Sequence, residues 1–176
     1  MADFKKALAV VLKNEGGYVN NLKDKGGETY CGISRKNNPN WMGWKAIDGY
    51  KANNALKEGQ IIDDYILNGL VESYYKTQYW DKIQGDNITS DKVAISYFDW
   101  FVNSGYHATE AIQKCVDATP DGVMGANTLA AINRTDENIL CVKLKYARID
   151  FVKGIVQRNP SQKVFFNGWL SRINSF

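Results

Sequence analysis

A single histidine and three cysteines in 176 residues leave few sites for metal or nucleophile chemistry, and each scarcity removes a class of function. His107 has no second histidine to form a metal cluster and no evident orienting partner for a Ser-His-Asp or Cys-His machine, so it reads as a polar helix-start or loop residue. Cys31, Cys115 and Cys141 are odd in number and far apart, which excludes a disulfide framework and a Cys-x-x-Cys zinc set and leaves small buried hydrophobes. No metal and no cofactor is expected. Charge of one sign is also lacking: 22 Lys+Arg stand against 19 Asp+Glu, the net charge is +3, and no block of like charges marks a nucleic-acid partner. No apolar run is long enough to span a membrane. The stretch Ala7 to Leu12 is too short and too periodic for a signal peptide, so the chain is expected to be made in the cytoplasm and to need another system to carry it outside.

What is present is an ordinary globular composition, 44% hydrophobic and 23% charged, which predicts one core, or one core with a small appendage, in a monomer. Aromatic residues make up 12%, with 5 Trp and 10 Tyr, enough for a dense core or for a groove lined with rings that hold sugar faces. Phe4, Leu8, Val11, Leu12 and Glu15 fall on one stripe at helical spacing and predict an amphipathic helix over 3–15, capped by Gly16-Gly17. From Tyr18 to Ser34, short segments broken by Asn20-Asn21 and Gly26-Gly27 predict a small antiparallel β-region. Residues 35–58 read as loop with a short helix, and Ile61 through Tyr79 as a long helix weakened at Gly69. Ser90-Asp91 starts a helix that runs to Asn103 and is apolar nearly all round, which places it at the centre of the core. Further helices are expected over 108–117, 126–133, 137–157 and 161–174, the last capped by Ser161.

Glu15 sits in an unfavourable place for a charge. It lies on the apolar stripe of its helix and in the last turn, where the helix macrodipole is negative. Both effects favour the neutral carboxyl, the form a general acid needs to protonate a glycosidic oxygen. The bland alternative is a glutamate that merely precedes a glycine cap and turns to solvent. Asp24 and Thr29 follow on the expected hairpin and supply a second carboxylate, which glycoside hydrolysis uses as base, nucleophile or electrostatic support for the transition state, and a hydroxyl that can hold the attacking water. Taken alone, each is equally good turn or strand chemistry.

The run Glu15-Gly16-Gly17-Tyr18-Val19-Asn20, then Asp24-Lys25-Gly26-Gly27-Glu28-Thr29 and Gly32-Ile33-Ser34, closely resembles the start of glycoside hydrolase family 108, N-acetylmuramidases of phages and bacteria. The resemblance continues through Tyr74-Tyr75, Tyr79-Trp80, the stretch Asp99 to Gly105, Pro160-Ser161-Gln162 and Gly168-Trp169-Leu170. It implies a mainly α, lysozyme-like α+β fold with a small β-hairpin region after the first helix and a buried central helix. It also implies Glu15 as the catalytic acid, with Tyr18 beside it as a substrate-binding candidate. The wider phage-lysozyme pattern of Glu, eight residues, Asp, five residues, Thr holds from Glu15 to Asp24, but Thr29 arrives one residue early.

Asp121-Gly122-Val123-Met124-Gly125-Ala126-Asn127-Thr128-Leu129 is similar to the core motif of small peptidoglycan-binding modules, which makes Asp121 and Thr128 binding candidates. As local chemistry it is a turn followed by a helix start. Asp99 and Asn103, four apart on the central helix, share a face and are candidates for a groove below Glu15, or else for hydrogen bonds inside the core. Among Trp41, Trp44, Tyr74, Tyr75 and Trp80 the sequence does not choose a sugar-stacking ring. The expected organisation is a lysozyme-like catalytic part over 1–104 and a helical peptidoglycan-binding-like part over 105–176. The expected partner is the glycan strand of peptidoglycan and the expected reaction is hydrolysis of its β-1,4 bond after N-acetylmuramic acid. A lytic transglycosylase and a non-catalytic wall-binding or secretion-assisting protein are the alternatives.

Overall fold

The computed structural model describes residues 1–20, 27–53 and 56–176. The chain divides into two compact units, one of residues 8–78 and the other of residues 1–7 with 79–176. Among the described residues, eight α-helices and one three-stranded antiparallel sheet make a mainly α, lysozyme-like fold.

The first helix, α1 (Phe4–Glu15), begins where Asp3 Oδ1 accepts from the Lys5 and Lys6 amides at 2.9 and 3.3 Å. Its stripe buries Phe4, Ala7, Leu8 and Val11, each large side chain contributing about 1.5–3 kcal/mol. The helix stops at Gly16, which turns left-handed with φ of 74° while its N–H reaches back to the Leu12 carbonyl at 3.3 Å.

In the unit of residues 8–78, β1 (Tyr18–Asn20), β2 (Glu28–Tyr30) and β3 (Ile33–Ser34) pair in sequence order. Tyr18 lies opposite Tyr30, Val19 opposite Thr29 and Asn20 opposite Glu28, while Tyr30 lies opposite Ile33. The β2–β3 turn is Cys31-Gly32, with φ of 47° and 76°. Positive φ at both central positions is what a two-residue hairpin loop needs to match strand twist. Cysteine is not a turn residue, so the sequence pattern does not mark this turn.

Helix α2 (Gly43–Asn53) lies in the expected loop of residues 35–58 and buries Trp44 and Ile47. The next helix does not start at Ile61. Ile62 is buried and its N–H donates to the Tyr30 hydroxyl at 3.1 Å, which holds the chain out of helical geometry. Asp64 then accepts from the Leu67 amide at 2.9 Å and begins α3 (Tyr65–Tyr75). The expected single helix also changes character at its end, where Lys76–Trp80 winds as a wider π turn.

In the other unit, Ser90 caps α4 (Asp91–Ser104) through the Val93 amide, and Val93, Ala94, Tyr97, Phe98, Asp99 and Trp100 are buried. Gly105 ends α4 and opens α5 (Tyr106–Cys115). Helices α4, α5 and α7 (Glu137–Arg158) pack against one another, with α6 (Ala126–Arg134) between the last two in sequence. Ser161 is not the last cap: Asn159 accepts from the Ser161 amide at 3.3 Å, Pro160 opens a 3-10 turn to Phe165, and α8 (Phe166–Asn174) follows. Proline fixes the φ a helix start needs, so the chain begins winding one residue before Ser161.

Candidate active site

Glu15 is the last residue of α1 and is half-buried. The backbone just beyond it is too crowded for a side chain. A Cβ on Gly17 would stand 2.4 Å from the Gln60 carbonyl oxygen. The chain there is stitched on both sides: Tyr18 N–H donates to Gln60 O at 2.9 Å, Gly59 N–H to Tyr18 O at 2.7 Å, and Cys31 N–H to Gly17 O at 3.2 Å. The helix end is thus fixed between the 59–60 segment and the β2–β3 turn.

The Glu15 carboxyl lies against that turn. A Cβ on Gly32 would meet the Tyr75 hydroxyl at 2.6 Å, Glu15 Oε2 at 3.0 Å and Glu15 Cβ at 3.3 Å. Gly32 therefore serves twice, supplying a left-handed backbone and vacating the space that Glu15 and Tyr75 fill. Tyr75 is buried, and its hydroxyl donates to the Cys31 carbonyl at 2.8 Å, tying α3 to the turn. Burial pushes the Cys31 thiol up to about 11 and the Tyr30 phenol up to about 12, so both stay protonated near neutrality. The sequence marks Gly32 as part of a motif but holds no signal that pairs it with Tyr75.

A second carboxylate in this unit is already committed. Glu28 Oε1 accepts from Tyr18 Oη at 2.8 Å and Lys51 Nζ at 2.7 Å, and its Oε2 pairs with Arg35 Nε at 2.8 Å. Arg35 also reaches Asp48 at 2.7 Å and lies over the Trp44 ring at 4.6 Å. Burial and then the Glu28 contact raise the Tyr18 phenol, and the hydrogen bond to Glu28 raises Lys51. Tyr18, expected at the substrate, is 5% exposed and bound into this network. Thr29, on the opposite face of β2, turns its hydroxyl onto the Gly27 carbonyl at 3.2 Å. Asp24 lies outside the described residues.

The rings sort by exposure. Trp44, Tyr75 and Trp80 are buried, whereas Trp41 and Tyr74 are half-buried. Trp41 meets Trp44 and Tyr74 edge to face at 5.2 and 6.3 Å, Tyr74 meets Tyr75 at 5.8 Å, and the Tyr74 hydroxyl donates to Asn38 at 3.0 Å. A chain of ring contacts thus runs from Tyr75, at Glu15, out to Trp41.

The remaining candidates lie in the other unit. Asp99 is wholly buried, and its oxygens are taken up by Arg148 at 2.7 Å and Arg172 at 2.8 Å. Asn103 turns its amide onto the Asp99 carbonyl at 2.7 Å. Asp121 and Thr128 do come together at a polar hollow of about 450 Å³, and Asp121 Oδ1 and Thr128 Oγ1 both accept from Gln113. The Gln113 amide nitrogen, buried at 1% exposure, donates to Asp121 at 2.6 Å, Val123 O at 3.0 Å and Thr128 at 3.3 Å, while its oxygen accepts from Gly122 at 2.9 Å. A buried glutamine on a helix carries no sequence signal, so reasoning from spacing misses it. His107 lies in the first turn of α5, with the Glu110 carboxylate 3.6 Å away one turn on. Cys31 and Cys115 are buried, and Cys141 is half-buried. Among the described residues, no group of three or more His, Cys, Asp or Glu could hold a metal ion, and no helix is long and apolar enough to cross a membrane.

The family model described as glycosyl hydrolase 108 matches residues 8–105, and one described as a predicted peptidoglycan domain matches residues 108–174. Among solved structures, the chain is similar to one described as the structure of Brucella abortus SagA, with 29% identity, a TM-score of 0.68, and coverage of 98% of this chain and 90% of that one. No curated protein matches it.

Proposed function

Since this chain belongs to the glycosyl hydrolase 108 family and acts on the cell wall, we propose that it hydrolyses the β-1,4 bond between N-acetylmuramic acid and N-acetylglucosamine, with Glu15 as the general acid. The observation that carries this reading is the Glu15 carboxyl itself, held at a clamped helix end against the Cys31-Gly32 turn and half-buried, so that it is sheltered yet reachable. Glu15 gives its proton to the glycosidic oxygen as the bond to the anomeric carbon breaks. Water then attacks that carbon, and its proton passes to the second carboxylate. Asp24 is the residue for that second role, at the spacing of the phage lysozymes. Glu28 does not suit it, because three cationic or phenolic donors already hold both of its oxygens. Asp99 is likewise left out of the site, since two guanidinium groups occupy it in the core.

Trp41 and Tyr74 are the rings that offer a face or edge to a sugar, being the two members of the aromatic chain that are not buried. The setting belongs to the same proposal: an endolysin of a phage or prophage, or a bacterial enzyme that opens the wall for secretion.

The test is product analysis of purified peptidoglycan. The wild-type chain is expected to release new reducing ends, and Glu15→Gln to lose about 100- to 10,000-fold of that rate while remaining folded by circular dichroism. Substantial activity in Glu15→Gln removes the assignment. Anhydro ends in place of reducing ends convert the reading to a lytic transglycosylase, and wall binding without new ends to a non-catalytic protein.

A further inference from the structure

The unit of residues 1–7 and 79–176 carries a surface that the Asp121–Thr128 motif does not touch. Between α5 and α7, above Trp100, runs an open groove of about 570 Å³ walled by His107, Lys114, Lys143, Tyr146 and Phe151. Val142 and Tyr146 of α7 line it and Ile139 lies one turn before Val142 on the same helix, the three being exposed at 55%, 64% and 56%. These three sit at i, i+3 and i+7, one face of the helix, opposite the buried Leu140, Leu144 and Val152. Single exposed apolar residues are ordinary, but a stripe of them beside a groove marks a surface that binds something.

The charges on the groove indicate what. Lys114 and Lys143 are exposed on opposite walls, and against these two cations the lining has one carboxylate, Glu110, which lies 3.6 Å from His107. Lys143 gives one hydrogen bond to the Cys115 carbonyl at 2.9 Å, and an ammonium group has further N–H donors for a ligand. The groove therefore presents two cations and an exposed tyrosine ring against a mostly apolar floor. A glycan strand bearing carboxylate substituents fits that combination: its sugar faces and acetyl methyls lie on rings and aliphatic surface, and its acidic groups meet ammonium groups.

We infer that the α5–α7 groove is the surface by which residues 108–174 hold the peptidoglycan strand, with Tyr146 against a sugar ring and Lys114 and Lys143 on the lactyl or stem-peptide carboxylates. The inference rests on the wall-directed reading of the chain. It places the binding surface apart from Asp121 and Thr128, whose Oδ1 and Oγ1 accept from Gln113 and help to shape their own loop.

The test uses the full chain carrying Glu15→Gln, so that binding is read without turnover, and measures pelleting with purified sacculi. Tyr146→Ala, at an exposed position, is expected to weaken binding about five- to tenfold. Lys114→Glu is expected to weaken it about threefold or more at low salt, with the loss shrinking as salt rises. On chitin, a neutral polymer, Tyr146→Ala should still reduce binding while Lys114→Glu should not. Lys163→Glu, an exposed lysine away from the groove, is the charge-matched control. Equal losses for Lys163→Glu and Lys114→Glu would reduce the effect to net charge and overturn the inference. A wild-type dimer that Tyr146→Ala converts to a monomer would overturn it in favour of self-association. If the wild-type chain releases reducing ends and Tyr146→Ala binds undiminished, the groove is refuted and the hydrolase reading stands. If no reducing ends appear while sacculus binding depends on Tyr146 and Lys114, the groove stands and the hydrolase reading falls.

Discussion

Gly32 shows how much can depend on an absent side chain. Adding a methyl group there forces a left-handed alanine, costing about 1–2 kcal/mol, and drives Cβ into the Tyr75 hydroxyl and the Glu15 carboxyl. On the proposal that Glu15 is the general acid, Gly32→Ala is therefore expected to lower release of reducing ends from peptidoglycan at least about tenfold, because an acid carboxyl displaced by a fraction of an ångström loses its alignment. The accompanying loss of stability should be modest. Adding Tyr75→Phe removes the nearest obstacle, so the double variant should melt higher than the sum of the two single changes predicts. Simple additivity in thermal melts, with full activity in Gly32→Ala, would show that the crowding at this turn is unimportant. Legibility at this scale was uneven. Glu15 stands out in the sequence because its position on the stripe and at the helix end is local, whereas Gly32 acquires its meaning from Tyr75, far along the chain.

Among the elements, the loop between α5 and α6 is shaped by carboxylate and amide hydrogen bonds. The Val123 amide, and then the Gln113 side chain, hold the Asp121 carboxyl below the usual aspartate range. A carboxyl that binds its proton less readily when folded adds stability above the ordinary aspartate value and loses it as pH falls through the lowered one. Asp121→Asn keeps the shape and deletes the titration. Wild type is thus expected to melt above Asp121→Asn at pH 7, and the gap should close as pH drops below about 4. A gap that stays constant over this range in thermal melts would refute the linkage. Most helices in the chain were legible from spacing and caps, and Ser90 starts α4 as expected. The misses have physical causes. Ile62 is drawn out of helix by the Tyr30 hydroxyl, and α3 gives way to a π turn before Trp80.

For the molecule as a whole, packing decides where the compact units divide. The family models meet near residues 105–108, yet the division into units falls between Gln78 and Tyr79, because α4 packs on α5 and α7. Asp99 is the electrostatic centre of that packing, joining α4 to Arg148 on α7 and Arg172 on α8. Replacing one charge of such a buried set strands the others. Asp99→Asn is expected to cost about 3–5 kcal/mol in urea unfolding. A loss below about 1 kcal/mol would mean that the two arginines reach water on their own. By itself the sequence determined most of the helices, the Ser90 cap, the family and the position of Glu15 at a helix end, because periodicity and capping are written within a few residues of each other. Only the tertiary structure decided that Asp99 is a buried ion-pair centre, that Gln113 donates to one oxygen each of Asp121 and Thr128, and that Gly32 makes room for Glu15. Those outcomes depend on which side chains meet across long stretches of chain, and burial then settles which polar groups face each other and which remain for a ligand.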